Sequence, residues 1–551
     1  MALADSFRSM DFLEQATALQ ALQALPAAEA LAEITPLFLA PTGDAAADSM
    51  VRNALRAILR SNPAAVLNGL TADQPPMADL CRDMAAEMRL EAAVPHLIHA
   101  AASVAGSRDM DGLRTILGIL GRIGSPQSLP AFRAHMDNPD PVTAALCIQH
   151  LGALGDASSL PALAAAISAA NAEDRYETCD ITTWKAIEAI GEIGRAGTPA
   201  AIAVLARFIH HRNPTARRIV LETLVRCGED AIAHVGPALL DPDTDTRIMA
   251  ANALRDIAHK AAAEPLVRAL EKGAAVDANV GFAIYEALGH TPGMKSLVAL
   301  TEALPKEHEP STLMAIVQAL ETQASPAVGK RFNEIVTDRL SAQDAQAQRI
   351  LSAVIAVRAT GLFPHLYADP VVGRILVGLI LKTSDPEALR SFAEILRQCP
   401  QPQAEKDAQT LLAALPATET SDRPRLLAVD DSNAMRNFYR THGAAMGFDV
   451  TLAEHGQHAL DIVESASGAS LTFAIVVVDM NMPVMDGIQF TEKLRAMPEY
   501  ASTPVLMATT ESGRSQASLA RKSGVTAFLP KPFTPEMLQS KIGKLLERAG
   551  H

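Results

Sequence analysis

The chain has 551 residues, of which 49% are hydrophobic and only 4% aromatic, and its formal net charge is −14. This length exceeds what one compact core usually holds, so it predicts several domains or a repeat array. The acidic balance argues against nucleic-acid binding, because that binding depends on a basic surface that neutralises phosphates.

Neither a membrane span nor a signal peptide is expected. The sequence contains no run of 18 apolar residues, and its N-terminus has no basic region before an apolar one. The five cysteines are far apart and form no Cys-x-x-Cys motif, which indicates thiols in a reducing compartment. We therefore expect a cytoplasmic protein.

Residues 1–414 are predicted to be almost entirely helical. Apolar residues recur at helical spacing in the segments 113–123, 146–154, 187–193, 219–225 and 250–257. Gly-x-x-Gly motifs begin at Gly121, Gly152 and Gly191, and the first two lie 31 residues apart. This self-similarity predicts an array of helical repeats.

Turns that contain proline recur in the same region, at residues 137–140, 212–214 and 241–243. In each turn we expect Asp or Asn to cap a new helix and Pro to occupy its first turn. Two-helix units of this kind, closed by Gly-x-x-Gly, resemble short HEAT repeats of the bilin-lyase-like type and are clearest over residues 113–304. The resemblance implies an extended surface that binds another protein.

Two polar segments interrupt this pattern. Glu173, Asp174, Glu177 and Asp180 form an acidic patch, which is either a solvated loop or part of a binding surface. Residues 415–423 are polar and carry no apolar period, so they are predicted to be a linker. The linker would separate the array from a C-terminal domain at residues 424–551.

In the C-terminal domain, short apolar runs alternate with helical segments. Strands are predicted at residues 426–429, 449–453, 474–478, 505–508 and 526–529, with helices at 432–446, 456–463, 488–497, 516–523 and 535–546. Five apolar strands separated by helices predict a parallel sheet covered on both faces. In such sheets the ligand site lies beyond the carboxyl ends of the strands.

The predicted strand ends carry charged and hydroxyl side chains: Asp430 and Asp431, Asp479, Thr509 and Lys531. Three carboxylates in one small site repel one another unless a cation is bound, and oxygen ligands suit Mg²⁺. A carboxylate in such a site can act as a nucleophile toward a phosphoryl group. An ammonium and a hydroxyl group can then stabilise the phosphoryl oxygens.

The same segments resemble the response-regulator receiver family, especially its chemotaxis-type members. The motifs are Leu426-Leu-Ala-Val-Asp-Asp-Ser432, Val478-Asp-Met-Asn-Met-Pro-Val-Met-Asp-Gly487, Ala508-Thr-Thr-Glu511 and Pro530-Lys-Pro-Phe533. The resemblance covers about 125 residues. It implies a flavodoxin-like α/β fold with strand order 2-1-3-4-5, joined here to an all-α HEAT-like solenoid.

The resemblance also implies a role for each site residue. Asp479 would accept a phosphoryl group from a sensor histidine kinase, and Thr509 and Lys531 would bind that group. The implied Mg²⁺ ligands are Asp430, Asp431, Asp479 and the backbone carbonyl of Asn481. Phe528 would be the switch aromatic, and the Lys531–Pro532 peptide bond would be cis.

Two residues depart from the common family pattern. Phe528 stands where many members have tyrosine, so its ring offers no hydroxyl. Thr510 stands where alanine or glycine is common, and we predict that it narrows the approach of the hydrolytic water and slows loss of phosphate. Asn481 and Glu511 flank the same path and could position that water.

These features predict a two-component response regulator and not an enzyme beyond its own phosphorylation and dephosphorylation. No helix-turn-helix or basic region follows the receiver, so the output would be the receiver surface, the array or both, acting on an unknown protein partner. Phosphorylation would pull Thr509 inward and let Phe528 pack, which would change the face of the fourth helix, fifth strand and fifth helix. Two alternatives remain: a scaffold whose receiver controls homodimerisation, and a bilin-lyase-like module that handles a cofactor.

Overall fold

The computed structural model describes residues 3–107, 109–172, 177–341, 345–383, 385–415, 423–466, 472–509 and 514–549. The chain divides into two compact units. The first comprises residues 1–166 and 180–198, and the second comprises residues 167–179 and 199–551. No helix in the described ranges is long and apolar enough to cross a membrane.

The first unit is helical. Its helices, of which α11 ends in the second unit, are α1 (Leu3–Ser6), α2 (Phe12–Gln23), α3 (Ala27–Leu39), α4 (Ala45–Arg60), α5 (Pro63–Gly69), α6 (Pro75–Glu87), α7 (Val94–Ser107), α8 (Met110–Ile123), α9 (Leu129–His135), α10 (Pro141–Ala153), α11 (Leu160–Ala170) and α12 (Ile181–Arg195). A Cβ atom at Gly152 would lie 2.6 Å from the Cα of Ala189. The predicted Gly-x-x-Gly motif therefore lets α10 and α12 approach closely.

The second unit begins with further array helices. They are α13 (Pro199–Ala206), α14 (Pro214–Cys227), α15 (Glu229–Val235), α16 (Thr244–Ile257), α17 (Ala263–Glu271), α18 (Ala278–Gly289), α19 (Met294–Ala303), α20 (Pro310–Glu321), α21 (Pro326–Ser341), α22 (Gln346–Ala356), α23 (Phe363–Tyr367), α24 (Pro370–Ile380), α25 (Pro386–Gln398) and α26 (Ala404–Ala413). A Cβ at Gly289 would lie 2.9 Å from the Cα of Ala319, so α18 and α20 also pack through small residues.

The predicted helix starts are confirmed at one turn and shifted at two. Asn213 caps α14 by accepting a hydrogen bond from the Ala216 amide, and a proline follows in the first turn. At residues 137–140 the cap is Asp140, which follows Pro139 and is itself followed by Pro141 in the first turn of α10. At residues 241–243 the cap is Asp243, which follows Pro242, and no proline lies in the first turn of α16. In both cases the cap carboxylate accepts hydrogen bonds from the amide and the hydroxyl of a threonine three residues later, which favours the later start.

The second unit ends in an α/β domain. Its elements are β1 (Arg425–Val429), α27 (Asn433–Ala445), β2 (Asp449–Ala453), α28 (Gly456–Ala466), β3 (Ile475–Asp479), α29 (Gly487–Arg495), β4 (Val505–Thr509), α30 (Arg514–Lys522), β5 (Ala527–Pro530) and α31 (Pro535–Ala549). The strands pair in parallel in the order β2-β1-β3-β4-β5, which confirms the expected fold class. The central strands β3 and β4 are fully buried, as their β-branched and apolar runs predict.

The proposed boundaries between array, linker and C-terminal domain remain predictions. Helix α26 ends at Ala413 and β1 begins at Arg425, on either side of the expected linker. Residues 416–422, which make up most of that linker, lie outside the described residues.

Candidate functional site

The carboxyl ends of β1, β3 and β5 place three aspartates and a lysine in one pocket. Asp430 and Asp431 directly follow β1, Asp479 is the last residue of β3, and Lys531 follows β5. The Lys531 Nζ donates to Asp430 Oδ2 at 2.9 Å and to Asp479 Oδ1 at 2.7 Å. The expected grouping of these residues from three strands is therefore present in the structure.

Burial governs the electrostatics of this pocket. It raises the pKa of Asp430 and of Asp479, and the ammonium of Lys531 acts in the opposite direction on both carboxyls. Burial alone would lower the pKa of Lys531, but the two carboxylates outweigh it and hold that pKa well above its usual value. The lysine thus remains a cation between two acidic groups.

The backbone around Asp479 is tightly constrained. Its Oδ2 accepts a hydrogen bond from the Asn481 amide at 2.9 Å. A Cβ at Gly487 would lie 2.2 Å from the Asp479 carbonyl oxygen, so only glycine fits where α29 begins. Asp486 caps the same helix by accepting from the Gln489 amide. These contacts fix the end of β3 and the direction of the Asp479 carboxylate.

The remaining predicted site residues lie at the ends of β4 and β5. Thr509 is buried at the end of β4, with its hydroxyl 3.9 Å from the Met480 sulfur. Phe528 is half-buried in β5, and the Arg521 guanidinium lies 5.9 Å from its ring centre. The Lys531–Pro532 bond is cis, as expected. Thr510 and Glu511 fall outside the described residues.

The oxygen donors of Asp430, Asp431 and Asp479 are of the type that Mg²⁺ prefers. Within the described ranges, however, no three His, Cys, Asp or Glu side chains are grouped closely enough to hold a metal ion. Lys531 lies between two of the aspartates, and the third, Asp431, is paired with Arg255 of array helix α16. The donor set fits the predicted metal in chemistry, while its side chains are engaged by two protein cations.

Sequence reasoning did not find the array residues at this pocket. Asn279 donates from its Nδ2 to the Lys531 carbonyl oxygen at 2.7 Å, and Arg217 donates from its Nη2 to Asn481 Oδ1 at 2.9 Å. Arg255 and Asp431 are 176 positions apart in the chain. No local pattern marks such a pair, because only the packing of the array on the α/β domain brings the two together.

Further contacts join the α/β domain to the array helices of the same unit. In α27, Asn437 donates from its Nδ2 to the Val357 carbonyl oxygen at 3.2 Å and to Gln318 Oε1 at 3.3 Å. In the predicted acidic patch, Glu177 pairs with Lys522 of α30 at 2.6 Å. Of the other members of the patch, Asp180 caps α12, and Glu173 and Asp174 lie outside the described residues.

A doubly wound sheet of order 2-1-3-4-5, with two aspartates after β1, one at the end of β3 and a lysine after β5, defines a receiver domain. The family model for the response regulator receiver domain matches residues 426–543, and the model for HEAT repeats matches residues 94–180 and 232–321. The chain belongs to the response regulator receiver family through the first of these segments. The second match supports HEAT repeats in general and not the bilin-lyase-like type in particular.

Two relatives each match 123 residues of this chain. The chemotaxis protein CheY homolog of Campylobacter jejuni is 37% identical over 123 residues, which is 22% of this chain and 92% of that protein. Chemotaxis protein CheY1 of Helicobacter pylori strain J99 is 36% identical over 123 residues, 22% of this chain and 96% of that protein. Among solved structures, Vibrio cholerae CheY4 is 33% identical with a TM-score of 0.21, covering 22% of this chain and 98% of its own.

Proposed function

We propose that this protein is a response regulator in which Asp479 accepts a phosphoryl group from a sensor histidine kinase and thereby changes the contacts between receiver and array. The observation that supports the acceptor role is the bridge from Lys531 Nζ to Asp479 and Asp430, which places a buried cation beside a buried nucleophile. The relatives matched by the receiver segment are chemotaxis proteins of the same domain family.

The proposed reaction is a substitution at phosphorus. A carboxylate oxygen of Asp479 forms a bond to the phosphorus of a phosphohistidine, the P–N bond breaks, and its electron pair stays on the imidazole nitrogen. Lys531 would offset the charge on the phosphoryl oxygens, and the buried Thr509 hydroxyl would donate to one of them. Asp430, Asp431, Asp479 and the Asn481 carbonyl would hold Mg²⁺, which when bound supplies further charge stabilisation.

The proposed switch joins the acceptor to the far side of the receiver. Thr509 would move toward the phosphoryl group, and the ring of Phe528 would fill the space behind it. The half-buried position of Phe528 beside Arg521 supports a ring that can take up a second packing. The face of α30, β5 and α31 would then change, as two-state elements do when one state is favoured by a new charge.

Several finer parts of the proposal rest on the sequence. Thr510 would shield the acyl phosphate from water, with Asn481 and Glu511 flanking the path of that water. An unidentified protein partner would bind the array, and the receiver could mediate a homodimer. We place the protein in the cytoplasm, because its five dispersed cysteines are typical of a reducing compartment.

The acceptor role is tested by phosphorylating the full chain with a small-molecule phosphodonor in MgCl₂. We expect hydroxylamine-sensitive labelling of wild type, which is the signature of an acyl phosphate, and none of Asp479→Asn. Asp461→Asn is the matched control, because Asp461 is an exposed carboxylate of the same domain in α28. Equal labelling of wild type and Asp479→Asn would refute the proposal.

A further inference from the structure

The acceptor pocket is covered by array helices of the same unit. A cavity of about 60 Å³ separates the two sides, which is room for a few water molecules. One wall holds the acceptor carboxylates, and the other is formed by side chains of α16 and α18, among them Met249, Arg255 and Phe282. The array therefore stands where a phosphodonor histidine, carried on another protein, would approach Asp479.

The cover is held by specific polar contacts and not only by apolar packing. Two array side chains donate hydrogen bonds to the loops that carry the site. Asn279 donates to the Lys531 carbonyl oxygen, and Arg217 donates to the Asn481 side chain. Glu222 of α14 also accepts a hydrogen bond from the receiver, which the Val484 backbone amide donates at 3.2 Å. These partners fit the receiver's acceptor face in particular.

Arg255 is the array residue that enters the acceptor site itself. Its side chain is only 8% exposed, and each of its donor nitrogens is directed at a carboxylate. Nε donates to Asp256 at 2.8 Å, Nη1 to Glu286 at 3.0 Å, and Nη2 to Asp431. The first two carboxylates belong to the array, whereas Asp431 belongs to the receiver's predicted Mg²⁺ site.

The charges of the site explain why this contact matters. Among the described residues of the receiver, Lys531 pairs with the side chains of Asp430 and Asp479. Arg436 donates only to the backbone carbonyl oxygens of Asp430 and Asp431, so without the array the Asp431 carboxylate would lack the cation that Arg255 supplies. Adjacent carboxylates then require a further cation. In the docked structure Arg255 supplies this cation. Its planar guanidinium group donates to a carboxylate oxygen of Asp431 that would otherwise face a metal ion.

We propose that the array covers the phospho-acceptor site and that Arg255 competes with Mg²⁺ for Asp431. This inference rests on the proposed function of Asp479 and adds its regulation. Since the two cations use the same carboxylate, docking weakens Mg²⁺ binding, and Mg²⁺ binding weakens docking by the same factor. A partner that draws the array away therefore speeds phosphorylation of the receiver.

Calorimetric titration of the full chain with MgCl₂ tests the competition. Arg255→Met keeps the length of the side chain and removes its charge, and we expect it to bind Mg²⁺ about tenfold more tightly than wild type. Arg268→Met is the matched control, because Arg268 is an exposed array arginine paired with Glu264, and its affinity should equal that of wild type. Neither substitution changes a residue of the contacts that Asn437 and Lys522 make with the rest of the unit.

Three outcomes separate this inference from the proposed function. Tighter Mg²⁺ binding by Arg255→Met alone supports the competition. Equal affinity in all three proteins overturns it, even where Asp479 is labelled by a phosphodonor and the proposed function stands. If none of the three proteins binds Mg²⁺, the proposed function fails together with the inference.

Hydrogen exchange of the wild-type chain gives a second test that does not depend on the folding of a variant. Addition of MgCl₂ should speed exchange of the α16 and α18 amides, because the metal favours the state in which these helices have left the receiver. Exchange in α3, which lies in the other compact unit, should not change. If MgCl₂ leaves α16 and α18 as protected as before, the inference is wrong.

Discussion

Replacement of Asn437 by alanine should weaken the docking of the receiver on the array without changing a residue that lines the pocket of Asp479. Asn437 is only 3% exposed, and its amide joins α27 to the Val357 carbonyl and to Gln318. The truncation leaves a buried carbonyl without this donor, which costs about 1–3 kcal/mol. At the middle of that range, about 2 kcal/mol, the fraction of undocked molecules rises roughly 30-fold.

Hydrogen exchange measured by mass spectrometry on the full chain can detect this change. We expect faster exchange in α22 and in the segment that contains Val357, on the array side of the contact. Asn433→Ala is the matched control, since Asn433 is exposed in the first turn of the same helix, and surface changes of this kind are usually worth within about 0.5 kcal/mol. If the two variants exchange alike, Asn437 does not hold the interface and the reasoning from its contacts is refuted.

Two further predictions concern the receiver's scaffold and the array. Gly487→Ala should destabilise β3 by about 1–3 kcal/mol, because the added Cβ would lie 2.2 Å from the Asp479 carbonyl oxygen. Hydrogen exchange of the β3 amides should then be faster. Gly543→Ala is the control, because its Cβ would meet open space, and it should leave the exchange of the β3 amides unchanged. Burial, and then the charge of Arg217, lower the pKa of His211 from 6.5 to about 4. The neutral His211 therefore contributes fully to the free energy of unfolding above pH 6.5. That contribution is lost as pH falls toward 4, and the free energy of unfolding is about 2 kcal/mol lower at pH 5. NMR of ¹³C-labelled histidine should show the low pKa, and a ring that titrates near 6.5 would contradict the prediction.

The sequence was sufficient to predict the receiver because the predicted site residues lie at the ends of strands. Parallel strands bring Asp430, Asp479 and Lys531 to one edge of the sheet whatever the side chains elsewhere do, so the order of apolar runs was enough. The first turns of the array helices were less certain, because two potential caps stand on either side of one proline. At residues 241–243 the hydrogen bonds to the amide and hydroxyl of Thr246 decided for Asp243.

The partner of Asp431 could not be predicted in the same way. Its neighbours in sequence indicated a metal site, whereas in the structure its carboxylate meets Arg255 from another part of the chain. Such a contact depends on how two folded regions pack, which local periodicity does not encode. The acidic patch shows the same limit, because the loop carrying Glu177 was identified while its partner Lys522 was not.

The carboxylates around Arg255 bear on how readily the interface can open. Removing one partner of a buried ion pair usually strands a charge and costs several kcal/mol. Here the array carries its own counterions, Asp256 and Glu286, so Arg255 stays neutralised when Asp431 departs. After separation the charge left without a partner is that of Asp431 in the receiver, and a divalent ion can neutralise it. The contact between Arg255 and Asp431 can therefore break and form again reversibly, and its strength depends on the magnesium concentration around the molecule.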